Sequence, residues 1–366
     1  MARWRVGAVA VALCWATGAP AAGQATPPPK KAWELAVKGG ITDLAFSPTE
    51  DCLVVATAER FIAVDTTGVA LWEVPVTRLG RGAEIGRVAA SPGCNWILVA
   101  GTPSSKRAWL VSRTAIKLIP TSGTPQGLAV SHGGSLFAVG TAAGALYLVD
   151  STGQELHTWR FGSSIIDALK FSPDDQRLAL TAGSPVGVLT VAGGTQWIQD
   201  LGGTMATTSS WDALVTWWEP PHFSTLGEVS LVDGQGKIRW TRPTHYPSAA
   251  IAPDGAYVVV AGVPDDSAGS VGERAEPVDN RFQVVGADGT GISEGATPNG
   301  QVLAVSPGGE RFLLRERAGD ADQLVARTRS GELAWKLALY PYGQLLVAST
   351  WSLLIEVKGD GLIAYR

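Results

Sequence analysis

One feature constrains this chain more than any other: a strand–turn–strand unit that returns along almost its whole length. It is clearest from Phe61 to Trp72, FIAVDTTGVALW. An apolar alternation runs into Asp65-Thr66-Thr67-Gly68, and a Trp stands four residues after the Gly. Alternation, a polar turn ending in Gly and a second alternation make a β-hairpin. The unit recurs as LVDSTGQELHTW (148–159), TVAGGTQW (190–197), LVDGQGKIRW (231–240) and RTRSGELAW (327–335), and KGDGLIAY (358–365) puts a Tyr at the Trp position. Trp72, Trp197, Trp240 and Trp335 keep the same distance from their glycine, and Trp159 is shifted by two.

A second element alternates with the first. An apolar strand leads into Ser-Pro or a relative, then a turn, then a strongly apolar strand. It appears at 44–57 (LAFSPTEDCLVVAT), 88–101 (VAASPGCNWILVAG), 128–140 (LAVSHGGSLFAVG), 169–181 (LKFSPDDQRLALT), 249–262 (AAIAPDGAYVVVAG) and 303–314 (LAVSPGGERFLL), with a degenerate copy at 205–217. The turn glycines 153, 193, 236, 289 and 331 advance in steps of about 40 residues, the signature of a solenoid or propeller rather than a single sandwich. Each step holds four short strands and four turns. No convincing helical periodicity follows residue 25, so the expected fold is an all-β propeller of four-stranded blades. Ala45, Ala89, Ala129, Ala250 and Ala304 recur on the first strand of a unit, which in a propeller lines the crowded centre. A Trp repeated once per unit is expected to pack between neighbouring blades and not to serve as a ligand platform.

The Asp-x-x-Gly-x-x-x-Trp pattern resembles the repeat of PQQ-like propellers, and the Ser-Pro-x-Gly element resembles that of WD40-like and YVTN-type propellers. Together they cover residues 32–366. The Gly-His and Trp-Asp pairs of true WD40 repeats are absent in register, so the WD40 likeness is one of shape. The resemblance implies a β-propeller. Through the PQQ-like repeat it also implies an alternative function, a quinoprotein dehydrogenase. Such an enzyme needs a Ca²⁺ cage, a catalytic carboxylate and stacking partners for the quinone, and neither its insertions nor an adjacent Cys-Cys pair is present.

The ends suggest how the ring closes. The step from Gly331 to Gly361 is only 30 residues, one strand short, while Ala32-Trp33-Glu34-Leu35 copies Leu71-Trp72-Glu73-Val74 with no strands before it. Residues 32–37 are therefore expected to supply the outer strand of the last blade, which removes an open edge. The count favours eight blades, with seven if the weak unit at 205–240 merges with a neighbour.

Residues 1–25 read as a secretory signal: Arg3 and Arg5 precede the apolar run Val6 to Leu13, and Ala19-Pro20-Ala21 offers a cleavage site. Leu13 before Cys14 makes a poor lipobox, so a lipid anchor is not expected. Residues 26–31 form a Pro-rich linker and 32–366 the propeller. The expected product is exported, periplasmic, cell-surface or secreted, and monomeric, without a membrane span. Cys52 and Cys94 fall at equivalent turns of successive units, where export permits a disulfide and burial as two small hydrophobes is the alternative. Lys plus Arg is 29 against 33 for Asp plus Glu, without a basic run, so nucleic acid is not an expected partner.

Catalytic motifs are missing. His132, His157, His222 and His245 lack metal spacing, and there is no CxxC, HExxH, P-loop or GxSxG. No cofactor or metal is expected. Asp265-Asp266 and the pair Asp320 and Asp322 read as solvated turns rather than cation loops, and Asp174-Asp175 as a repeat turn. The departures from the repeat are more informative: the connection 77–84 with Arg78 and Arg81, the segment 217–223 (WWEPPHF) with Trp218 and His222, and the polar insertion 263–280 with Asp265, Asp266 and Arg274. These share one face of a propeller, where long loops on a rigid frame bind partners. The expected function is a non-catalytic binding or scaffolding module for a protein or glycan partner. The alternatives are the quinoprotein enzyme and, by resemblance, the propeller lipoprotein of outer-membrane assembly.

Overall fold

Each unit of about 40 residues folds as an antiparallel sheet whose strands are hydrogen-bonded in chain order. The computed structural model describes residues 27–102, 106–218, 227–264, 280–318, 321–341 and 343–366. The signal segment lies outside them, as do His222, Asp265, Asp266, Arg274 and Asp320. Sheet I consists of Ile41–Phe46, Cys52–Thr57, Arg60–Asp65 and Ala70–Pro75. Sheets II, III and IV repeat it over 85–120, 125–160 and 166–200. Sheet V spans 204–296 with seven strands, and sheet VI spans 301–339 with four. Sheet VII takes three strands from 345–365 and its outer strand from Lys31–Ala36. No α-helix occurs among the described residues, only two short 3-10 turns.

The hydrophobic pattern follows from position in the sheet. Cys52–Thr57 is buried at every residue because a neighbouring sheet covers each of its faces. The outer strand Ala70–Pro75 alternates, with Trp72 and Val74 inward and Leu71 and Glu73 outward. Apolar clusters join each sheet to the next. Val54, Phe61 and Val74 of sheet I meet Ile97, Val99 and Trp109 of sheet II, and Leu53, Val55 and Ile62 meet Ile355, Leu362 and Ala364 of sheet VII. Burying side chains such as Phe61 and Leu98 contributes about 1.5–3 kcal/mol apiece.

Sheet V is bent on itself. Its strand Ile238–Ile251 pairs with Gly227–Asp233 through its first half and with Tyr257–Pro264 through its second. The register shifts between His245 and Ser248, and Tyr246 has a positive φ of 53°. Val215, Val229 and Leu231 on one side of this bend pack against Ile251, Val258 and Val260 on the other. The sheet thus holds two four-stranded halves that share one long strand and face each other as separate sheets do.

The N-terminal strand closes the ring. Trp33 to Ala36 pair with Ala364 to Gly361, and Lys30 and Arg366 exchange both backbone hydrogen bonds. Trp33 Nε1 donates to Thr66 O of sheet I at 3.0 Å, and Arg366 Nη2 donates to the same carbonyl at 2.6 Å.

Candidate functional site

Antiparallel succession gives the ring two faces. The turns joining first to second strands and third to fourth strands lie on one, the turn face. The connections that leave second and fourth strands lie on the other, the loop face.

The turn face is stitched from sheet to sheet. The fourth residue of the Ser-Pro turn is left-handed throughout: Gly134, Gly255 and Gly309 supply it freely, while Glu50, Cys94, Asp175, Trp211 and Trp351 adopt it with φ of 50–61°. Such a conformation costs roughly 1–3 kcal/mol at a non-glycine residue, and contacts to the preceding sheet offset it. Cys94 forms a disulfide with Cys52, Cα to Cα 5.9 Å. Glu50 accepts from Ser349 N and, at 2.7 Å, from Thr350 Oγ1. Asp175 accepts from His132 N and Gly133 N, both at 2.7 Å. Trp211 lies 5.4 Å beneath the Arg177 guanidinium, which also donates to Trp211 O. His132 thus keeps the structural place expected of it.

Trp159, Trp197 and Trp240 dock on the hairpin turn of the following sheet, while Trp72 Nε1 donates to Cys94 O of that sheet's Ser-Pro turn at 3.1 Å. Trp159 Nε1 donates to Gly193 O and Trp197 Nε1 to Gly234 O, at 3.2 and 3.1 Å. Gly236 has φ +85°, and a Cβ there would lie 2.8 Å from the Trp197 ring, so only glycine admits the indole. Trp240 takes the same place over the turn at Gly289, but Arg242 Nη2 occupies the Gly289 carbonyl and Trp240 Nε1 is left unbonded. The turn carboxylates are held ionised. The Thr67 hydroxyl and Val69 N pull the Asp65 pKa down, the Thr152 hydroxyl does so for Asp150, and the Ser172 hydroxyl for Asp174.

The loop face places the sequence-derived candidates differently. Arg78 lies within the 3-10 turn Val76–Leu79, whose Val76 and Leu79 are buried between sheets I and II. Its guanidinium donates to Arg113 O and Thr114 O, 3.2 Å each, so it clamps the turn of the next sheet. Arg81 is exposed. Asp322 is not in a solvated turn. It is buried within Ala321–Thr328 and paired with Arg315 Nη2 at 2.6 Å and Arg317 Nε at 2.8 Å, because the Arg-rich partner strand lies alongside.

Trp218 lies at the mouth of a cleft of about 310 Å³, lined also by Asp167, Gly183, Gly203, Thr204, Trp217 and Pro247. The connection before Thr204 reads Leu-Gly-Gly for a steric reason. Gly202 and Gly203 have φ of +68° and +84°, and a Cβ on Gly202 would fall 2.8 Å from the Trp218 ring. The backbone therefore backs the indole, and Trp218 stays 38% exposed on the cleft side. One oxygen of Asp167 accepts from Thr181 Oγ1 at 2.7 Å. Arg87, from the first strand of sheet II, donates to Asp167 O at 3.3 Å. Gly127 of sheet III is closely covered by the strand that carries Asp167: a Cβ there would sit 3.0 Å from Ile166 O.

Next to the cleft, the first strands line the centre. Asp43 accepts from Val88 N at 2.7 Å, yet burial raises its pKa. Lys170 takes the position of Ala45, Ala89, Ala129, Ala250 and Ala304 in the repeat. The residue is exposed, yet the surrounding protein desolvates the ammonium and lowers its pKa. It has no ion-pair partner among the described residues. Asp167, Arg87 and Lys170 are absent from the sequence-derived candidates. The signal was present for Lys170, since LKFSP breaks a column of Ala, but Asp167 and Arg87 carry none.

No family profile matches the chain, and no curated protein matches its sequence. Solved structures share the fold. The Dos1 propeller aligns with a TM-score of 0.64 at 13% identity, over 92% of this chain and 95% of that one. Hydrazine synthase of Kuenenia stuttgartiensis aligns with a TM-score of 0.56 at 14% identity, over 91% and 97%. At such identities the likeness concerns the β-propeller fold alone.

Proposed function

We propose that this chain is an exported, monomeric, non-catalytic β-propeller that binds a protein or glycan partner on its loop face. The observation that carries the reading is the exposed Trp218 at the mouth of the cleft, held by a glycine-backed connection on a rigid frame. A large aromatic kept partly in water is a common anchor of recognition surfaces. Eight four-stranded blades account best for the molecule: six separate sheets and the two halves of sheet V, whose facing surfaces pack like those of neighbouring sheets. The disulfide between Cys52 and Cys94 supports export, since such bonds persist in oxidising compartments, and it agrees with the signal pattern of residues 1–25. No helix among the described residues is long and apolar enough to cross a membrane.

Capture with the immobilised mature chain tests the reading. A partner retained by the parent should be lost from a Trp218→Ala, Arg81→Ala double variant and kept by a turn-face variant such as Ile292→Ala. Equal capture by all three, or none by the parent, would remove the loop face as the binding surface.

A further inference from the structure

The cleft joins three chemistries at one edge. Trp218 offers a flat apolar face in contact with water. Asp167 offers an exposed carboxylate, tied on one oxygen to Thr181 Oγ1 and without an ion pair among the described residues. The Arg87 guanidinium lies against the Asp167 carbonyl and so brings positive charge to the same place. A cationic ligand would be opposed by Arg87 and an anionic one by Asp167. A purely apolar side chain would desolvate the carboxylate without giving it a donor, which is costly. An uncharged polyhydroxylated ring meets all three conditions: its C–H face covers an indole, and its hydroxyls donate to a carboxylate. At about 310 Å³ the cleft stands at the lower end of ligand pockets, suited to one or two rings of a longer chain.

We propose that this cleft binds a sugar ring, stacked on Trp218 with its hydroxyls donating to Asp167. The proposal rests on the binding-module reading and selects glycan over protein. Asp167 is the specificity-determining group, because the carboxylate accepts from hydroxyls in a fixed direction, while Trp218 supplies sequence-tolerant stacking.

The experiment is calorimetric titration of the full mature chain with three probes: a β-linked glucose trisaccharide, a β-linked N-acetylglucosamine trisaccharide and an α-linked glucose trisaccharide. At least one should bind. Its affinity should fall tenfold or more in Trp218→Ala, stay within threefold in Trp218→Phe, and fall fivefold or more in Asp167→Asn, with the melting temperatures of all variants near the parent's. Failure of all three probes to bind the parent overturns the proposal, as does binding that Trp218→Ala and Asp167→Asn both leave unchanged. A protein partner captured equally by parent and Trp218→Ala would also overturn it, yet would leave the broader binding-module reading in place.

Discussion

The turn face and the loop face are built from the same strands, but they solve different problems. On the turn face four of the five left-handed non-glycine residues are tied to the preceding sheet: Glu50 to Ser349 and Thr350, Cys94 to Cys52, Asp175 to His132 and Gly133, and Trp211 to Arg177. At those four positions a cross-sheet contact offsets the left-handed strain. On the loop face the comparable groups turn to solvent. Trp218 is partly exposed where Trp197 and Trp335 are buried, and Asp167 keeps an oxygen open to the cleft. The difference teaches that one residue type has two roles, set by what the next sheet presents. A hairpin turn with a glycine accepts an indole as packing, whereas a glycine pair behind the indole leaves its other face free.

The largest test of this contrast removes the closure. Deleting residues 27–36 takes away the outer strand of sheet VII and exposes the edge of Gly361–Tyr365. Thermal unfolding followed by circular dichroism should lose its cooperative transition or shift it down by more than ten degrees, on the order of several kcal/mol. An unchanged melting curve would show that the ring does not depend on β-strand closure.

A smaller step separates packing Trp from exposed Trp. Trp197→Ala and Trp335→Ala should each cost about 3–5 kcal/mol in denaturant unfolding. Trp218→Ala should cost less than about 1 kcal/mol. Comparable losses at all three positions would abolish the distinction between the two faces.

The disulfide comes next. Cys52 and Cys94 close a loop of 42 residues, for which the chain-entropy relation gives about 4 kcal/mol as an upper figure. The Cys52→Ser, Cys94→Ser double variant should unfold at lower denaturant with unchanged probe binding at Trp218. Mass spectrometry of alkylated, unreduced parent should find neither thiol free.

The smallest expected effect is that of pH. Bonds from Thr67, Thr152 and Ser172 hold the carboxyls of Asp65, Asp150 and Asp174 below their ordinary value of 3.8. The folded state thus binds these protons less tightly than the unfolded chain. Their contribution is complete above about pH 4 and is lost as pH falls further. These groups are exposed, so screening keeps each small. Asp43 works in the other direction, since burial raises its pKa and its protonation on acidification favours the folded state. Denaturation midpoints should fall from pH 5 to pH 3. The Asp65→Asn, Asp150→Asn double variant should flatten that fall. An unaltered slope would deny the turn carboxylates this role.

Much of the frame was legible in the residues. The period, the two alternating elements, the orphan segment Ala32-Trp33-Glu34 and the column of Ala on first strands all depend on local pattern: strand periodicity, a turn that needs glycine, one residue type returning at one register. Those constraints act within a few residues, so a chain displays them. The blade-to-blade role of the repeated Trp was readable for the same reason, because one side chain recurred at one phase.

What the sequence by itself could not decide was which residues meet across sheets. Cys52 with Cys94 was one of two possibilities until the Cα atoms came to 5.9 Å. Glu50 and Thr350 stand 300 positions apart and touch only when the ring closes. Arg78, a candidate for the loop face by its position in a connection, has its guanidinium on Arg113 O and Thr114 O because buried Val76 and Leu79 set its direction. Asp322 reads as a solvated turn until Arg315 and Arg317 of the pairing strand lie beside it. The cleft itself requires Asp167 and Gly183 of sheet IV with Gly203, Trp218 and Pro247 of sheet V, and beside them an Arg87 of sheet II that donates to Asp167 O. Local pattern sets which residues can form strands and turns. The approach of surfaces between sheets sets what those residues touch, and only the closed tertiary structure fixes that approach.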